Sequence, residues 1–122
     1  MKFLLMIALV GFIFADTSFA TTKSPTAQTL SGTLADKMCA KRLKGDATKL
    51  ASHTKMCMTE EMCATSGYGI VVDGVFYKFD KKGDQLATTL LSKTTKASDI
   101  RVEVTGTVNG TTIKVTSLKE KA

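Results

Sequence analysis

The chain has 122 residues, with 17 Lys and Arg against 11 Asp and Glu, and a formal net charge of +6. That length leaves room for one domain and no more, and a single histidine excludes the paired-histidine zinc site of metalloproteases. The basic residues are scattered, with Lys41-Arg42-x-Lys44 and Lys81-Lys82 the densest groups, so the charge reads as a solvated surface and not as a nucleic-acid tract.

In chain order, Lys2 is a minimal positive start, 3–15 is an apolar run broken only by Gly11, and Ser18-Phe19-Ala20 places small residues where a signal peptidase reads. This predicts a signal peptide over 1–20, cleaved after Ala20. The run falls short of the roughly 20 apolar residues that a spanning helix needs. The expected product is therefore periplasmic or secreted, with no membrane span after cleavage. Residues 21–28 are polar, hold the lone Pro25, and predict a flexible lead-in to a single domain over 29–122.

Residues 29–34 predict a first strand with Leu30 and Leu34 on one face. Residues 68–72 and 75–79 flank Asp73-Gly74, and 101–108 and 111–118 flank Asn109-Gly110. Both dipeptides are strong signals for a two-residue type I′ hairpin. Val75, Tyr77 and Phe79 alternate as a core strand does, and so do Val102 and Val104. Between the hairpins, 84–93 predicts a short amphipathic helix with Asp84 as N-cap, Leu86 and Leu90 on one face and Lys93 in the last turn. The fold expected is mostly β with short helices. Its order of strand, insert, two strands, helix, two strands suits a five-stranded OB-like β barrel or an open antiparallel sheet.

The insert, 37–66, is different in kind. Its aliphatic residues are chiefly Leu43 and Leu50, yet it holds all three cysteines, the only histidine and every methionine after residue 20. Residues 47–58 read as partly helical. A region with so little apolar material needs a cross-link to stay ordered. The residues able to make one are Cys39, in the run Asp36-x2-Cys39, and then His53-x3-Cys57-x5-Cys63. On one helix, His53 and Cys57 would lie side by side. Three thiolates with one imidazole form a closed zinc set, and thioethers beside them favour Cu(I). Met56, Met58 and Met62 are auxiliary donors in that reading; Met38 also adjoins a cysteine. In an oxidising compartment the competing reading is a disulfide between one pair among Cys39, Cys57 and Cys63, with one thiol left over.

Other chemistries fare worse. A Cys57–His53 nucleophile pair lacks an orienting third group, and no Cys-x-x-Cys motif or phosphate-binding glycine loop is present. Tyr68, Phe76, Tyr77 and Phe79 could form a stacking platform for nucleic acid. Their alternation and the predicted export argue instead for core.

These residues resemble a set of small uncharacterised exported bacterial proteins with the pattern G-x3-D-x2-C, then H-x3-C-x5-C-x3-G. Here the pattern falls on Gly32, Asp36 and Cys39, then His53, Cys57, Cys63 and Gly67, and is followed by an aromatic hairpin through Phe76-Tyr77-Lys78-Phe79-Asp80 and a valine-rich one over 102–115. The resemblance implies an exported OB-like domain and carries no activity with it. The function expected is a non-enzymatic binding module whose insert holds a soft metal ion, Cu(I) or Zn. The alternative is a disulfide-stapled domain that works through its surface on an envelope protein.

Overall fold

The computed structural model describes residues 27–122. The predicted signal peptide and most of the lead-in lie outside the described residues; Ala27 and Gln28, the end of that lead-in, are already part of the first strand. Among the described residues no helix is long and apolar enough to cross a membrane.

Strand β1 (Ala27–Asp36) is long because it serves two neighbours. Its first part pairs antiparallel with β4 (Arg101–Asn109), from Ala27↔Thr107 to Thr33↔Arg101. Its last part pairs with β2 (Tyr68–Val72), from Thr33↔Val71 to Asp36↔Tyr68. The change of partner falls beside Gly32, where a Cβ would run into the Val71 carbonyl oxygen, so only glycine allows the two strands so close. Strand β2 pairs with β3 (Val75–Phe79), β3 runs parallel to β5 (Thr112–Glu120) through Lys78↔Thr112 and Phe79↔Ile113, and β5 pairs antiparallel with β4. The result is a five-stranded mixed sheet that closes in a ring, in the order β1-β2-β3-β5-β4.

Both hairpins form where expected, but their turns differ. Asp73 (φ 48°) and Gly74 (φ 78°) are both left-handed, as a type I′ turn requires. In the second hairpin Asn109 still pairs with Thr112, so the turn residues are Gly110 and Thr111, and of these only Gly110 (φ 60°) has positive φ. Positive φ at the first central position alone is the type II′ pattern, one residue later than the Asn-Gly reading. The register shift between Thr105 and Gly106 marks an irregularity in the β4–β5 ladder.

Inside the ring Leu34, Ile70, Phe79, Val102, Val104, Ile113 and Val115 form the core with Tyr68, Met58 and Ile100. Of the alternating residues on β3, Phe79 is buried, Tyr77 is half-buried and Val75, next to the turn, is exposed. Helix α5 (Lys81–Lys93) packs on this core through Ala87 and Leu91, one turn apart, flanked by Leu86 and Leu90. It starts one turn earlier than predicted because Asp80, at the exit of β3, caps it by accepting from the Gly83 backbone N–H at 3.0 Å. Asp84, the predicted cap, lies within the first turn and accepts from the Tyr68 backbone N–H at 2.8 Å.

The insert forms four short helices: α1 (Lys37–Arg42), α2 (Ala47–Ala51), α3 (Lys55–Thr59) and α4 (Glu61–Ser66). The partly helical stretch expected over 47–58 is two helices, α2 and α3, separated at Ser52–His53–Thr54, so His53 and Cys57 do not share one helix. Thr54 caps α3 by accepting from the Cys57 backbone N–H at 3.1 Å, and it bridges to Ser98. The Lys55 backbone N–H donates to the Ala97 carbonyl at 2.7 Å, which ties the break to the strand-like segment before β4. The insert also has an apolar anchor of its own. Ala40 and Leu50 are buried against Ala35 and Val71 of the sheet, with Leu43 and Phe76 at the margin. Ala35 and Val71 point away from the ring interior, so this end of the sheet is covered on both faces.

Candidate metal centre

The site begins at Asp36, the last residue of β1 and wholly buried. Its carboxylate caps α1: Oδ1 accepts from the Cys39 backbone N–H at 2.8 Å. The other oxygen, Oδ2, accepts from Nε2–H of His53 at 2.8 Å, and His53 is itself buried. A strand end, a helix start and the α2–α3 break thus meet on one carboxylate.

The cap fixes the direction of α1 and with it Cys39, which is 8% exposed. Cys39 Sγ lies 4.0 Å from Sγ of the half-buried Cys63 on α4. The backbones of the two helices are tied at the same end, by Lys37 N–H to the Gly67 carbonyl at 2.8 Å and Met38 N–H to the Ser66 hydroxyl at 3.2 Å. One carboxylate oxygen of Asp36 and the two sulfurs all lie within 4.8 Å of one another. Asp36, Cys39 and Cys63 are therefore close enough to hold a metal ion.

Electrostatics set the resting protonation states of the three groups. Burial opposes ionisation of Asp36. The hydrogen bonds from His53 and from the Cys39 backbone outweigh it and hold the carboxyl below its ordinary pKa of 3.8. Burial, the Asp36 charge and Cys63 push the Cys39 thiol up to about 12. Burial and Asp36 also raise Cys63. At neutral pH both groups are thiols beside a carboxylate, and a bound cation is what would draw them to thiolates.

The four residues expected to converge do so only in part. Cys39 and Cys63 meet. His53 joins them through Asp36 and faces that carboxylate, not Cys57. Cys57 is exposed on α3 and lies outside the cluster, because the break at 52–54 removes the shared helix face. No disulfide forms; all three cysteines are free. Of the auxiliary methionines, Met58 is 1% exposed in the ring core, where its carbonyl accepts from the Tyr68 hydroxyl at 2.9 Å. Met56 and Met62 are 76% and 70% exposed. Asp36 is the donor that counting soft ligands passes over. Its spacing to Cys39 is that of a helix cap, which is legible; its second bond, to His53, is a tertiary contact and is not.

No family model, curated protein or solved structure matches the chain.

Proposed function

We propose that the protein is a non-enzymatic, exported metal-binding module, an OB-type barrel whose insert between the first two strands carries a zinc site of Cys39, Cys63 and Asp36. The ring order with a helix between the third and fourth strands supports the barrel assignment. The apolar run and Ser18-Phe19-Ala20 support export, for which N-terminal sequencing should read from Thr21.

The observation that carries the metal reading is the separation of the two sulfurs beside the carboxylate. Two thiolates each about 2.3 Å from a tetrahedral zinc lie about 3.8 Å apart, and the sulfurs here are 4.0 Å apart. A bonded pair would lie at about 2.05 Å. Two thiolates with a carboxylate are a borderline set that suits Zn better than Cu(I), because the hard carboxylate oxygen is a poor donor for the softer ion. His53 acts one layer out. Its N–H fixes the carboxylate orientation and leaves a lone pair on each oxygen for the ion, as partners of ligating carboxylates do. The Cys57–His53 nucleophile pair finds no support: Cys57 is exposed on α3 outside the cluster, and the imidazole is committed to Asp36.

Titration of the reduced protein with zinc against a chromogenic chelator tests this. The expected result is one zinc per chain, with affinity rising as pH rises because binding releases thiol protons. Cys39→Ser and Cys63→Ser should each lose it by more than about 100-fold, and His53→Ala by about 10–100-fold. Absence of a one-to-one complex would end the metal reading. If protein from its native compartment then showed Cys39 and Cys63 bonded, the surface-acting stapled domain would replace it.

A further inference from the structure

We propose that the Cys39–Cys63 pair is a redox switch for the metal, in which a disulfide between these two residues and the bound ion are alternative, mutually exclusive cross-links of the insert. The proposal rests on the metal reading above and adds its regulation.

Three features of the pair carry it. The sulfurs are 4.0 Å apart on elements separated by 24 residues, so a bond between them would tie α1 to α4 as the metal does. The backbones at that point are already held by the Lys37–Gly67 and Met38–Ser66 hydrogen bonds. Bond formation therefore asks the sulfurs to close by about 2 Å, within the reach of side-chain rotation and without rearrangement of the fold. Finally, the two thiols differ in access. Cys63 is half-buried and Cys39 is buried, which sets an order of attack.

The oxidant is a low-molecular-weight disulfide, RSSR. The Cys63 thiolate attacks one of its sulfurs, forming a Cys63–S–S–R bond and releasing one RS⁻. The Cys39 thiolate then attacks Cys63 Sγ, forming the Cys39–Cys63 bond and releasing the second RS⁻. Starting from the zinc complex, two thiolates and RSSR give one protein disulfide, Zn²⁺ and two RS⁻. Two electrons pass from the protein sulfurs to the external disulfide, and no proton is gained or lost before RS⁻ equilibrates with solvent. Zinc leaves because two of its three protein donors have become disulfide sulfur, which is no longer a thiolate ligand. Cys57, exposed and outside the cluster, takes no part.

The test uses zinc-loaded protein carrying Cys57→Ser, treated with oxidised glutathione. Released zinc is followed with a chromogenic chelator, thiols are counted, and proteolytic peptides are mapped. The expected result is loss of one zinc per chain together with both thiols, a peptide linking Cys39 to Cys63, and recovery of thiols and zinc binding after dithiothreitol. Zinc retained with both thiols intact would overturn the switch and leave the metal site standing. Zinc lost through two separate glutathione adducts, with no linked peptide, would overturn it as well. A reduced protein that takes up no zinc before oxidant is added would overturn the metal reading itself, and the switch with it.

Discussion

In the ring, Ile70, Phe79, Val102, Val104 and Ile113 are each at most 1% exposed and are supplied by four different strands. In the insert, the comparable apolar anchors are Leu50, with Ala40 beside it, and Met58, which reaches the ring core, and the helices they belong to are five or six residues long. Helices that short do not persist on propensity alone. The insert is held by its caps, by two small apolar contacts and by the Asp36 carboxylate, which joins β1, α1 and His53. One region spreads its stability over many interchangeable apolar contacts; the other concentrates it in one polar node. Loss of a single side chain should therefore act on the ring by degree and on the insert by kind.

The largest effect belongs to the ring core. Phe79→Ala should destabilise the whole domain by about 4 kcal/mol in denaturant melts, since the side chain is 1% exposed and leaves a cavity. Ring and insert should unfold together. A loss below about 1 kcal/mol would show that the ring does not depend on this residue.

Asp36→Ala comes next, on the order of 3 kcal/mol, because it removes a cap and leaves the buried His53 N–H without its partner. Hydrogen exchange should speed up over residues 37–66 far more than in β4 and β5. Uniform acceleration would dissolve the distinction between the regions. The same carboxylate sets an acid limb. Its folded pKa is lowered, so its contribution is complete above the unfolded value of 3.8 and is lost as pH falls through the lower folded value. The difference in stability between wild type and Asp36→Ala should therefore shrink below about pH 4, in melts run across that range.

A smaller effect is expected at the second turn of the ring. Gly110→Val should cost more than about 1 kcal/mol through backbone conformation alone, because φ is 60° and no heavy atom lies within 4 Å of an added Cβ. Asn109→Ala, at a residue without positive φ, should cost less, which separates the observed turn from a type I′ turn centred on Asn-Gly. The smallest is Cys57→Ser. At an exposed position outside the cluster it should change stability by less than about 0.5 kcal/mol and zinc affinity less than threefold. A larger loss of zinc would put Cys57 back among the ligands.

Local signals are enough for the ring elements. Alternating apolar residues around Asp73-Gly74 and Asn109-Gly110 place β2, β3, β4 and β5 within two residues of their observed limits. Leu34, Phe79, Val102 and Val104 are core because the period of a strand puts them on one face. The helix before β4 is legible too, but its local signals put the start at Asp84, one turn late. Asp80 is the cap, and Asp84 is engaged by the Tyr68 backbone, a contact 16 residues away in sequence. The cysteine-rich composition of the insert likewise pointed to a cross-link, and Asp36-x2-Cys39 has the spacing of a cap. Which donors meet was settled only in three dimensions. The His53-x3-Cys57 spacing has meaning on a continuous helix, and Thr54 ends that helix by pairing with Ser98 and capping α3. The β1–β2 pairing at Asp36↔Tyr68 closes the insert into a loop, where Asp36 meets His53 and Cys39 meets Cys63 across 17 and 24 residues. Sequence periodicity reports which face of its own element a side chain occupies; it carries no information on which element lies opposite.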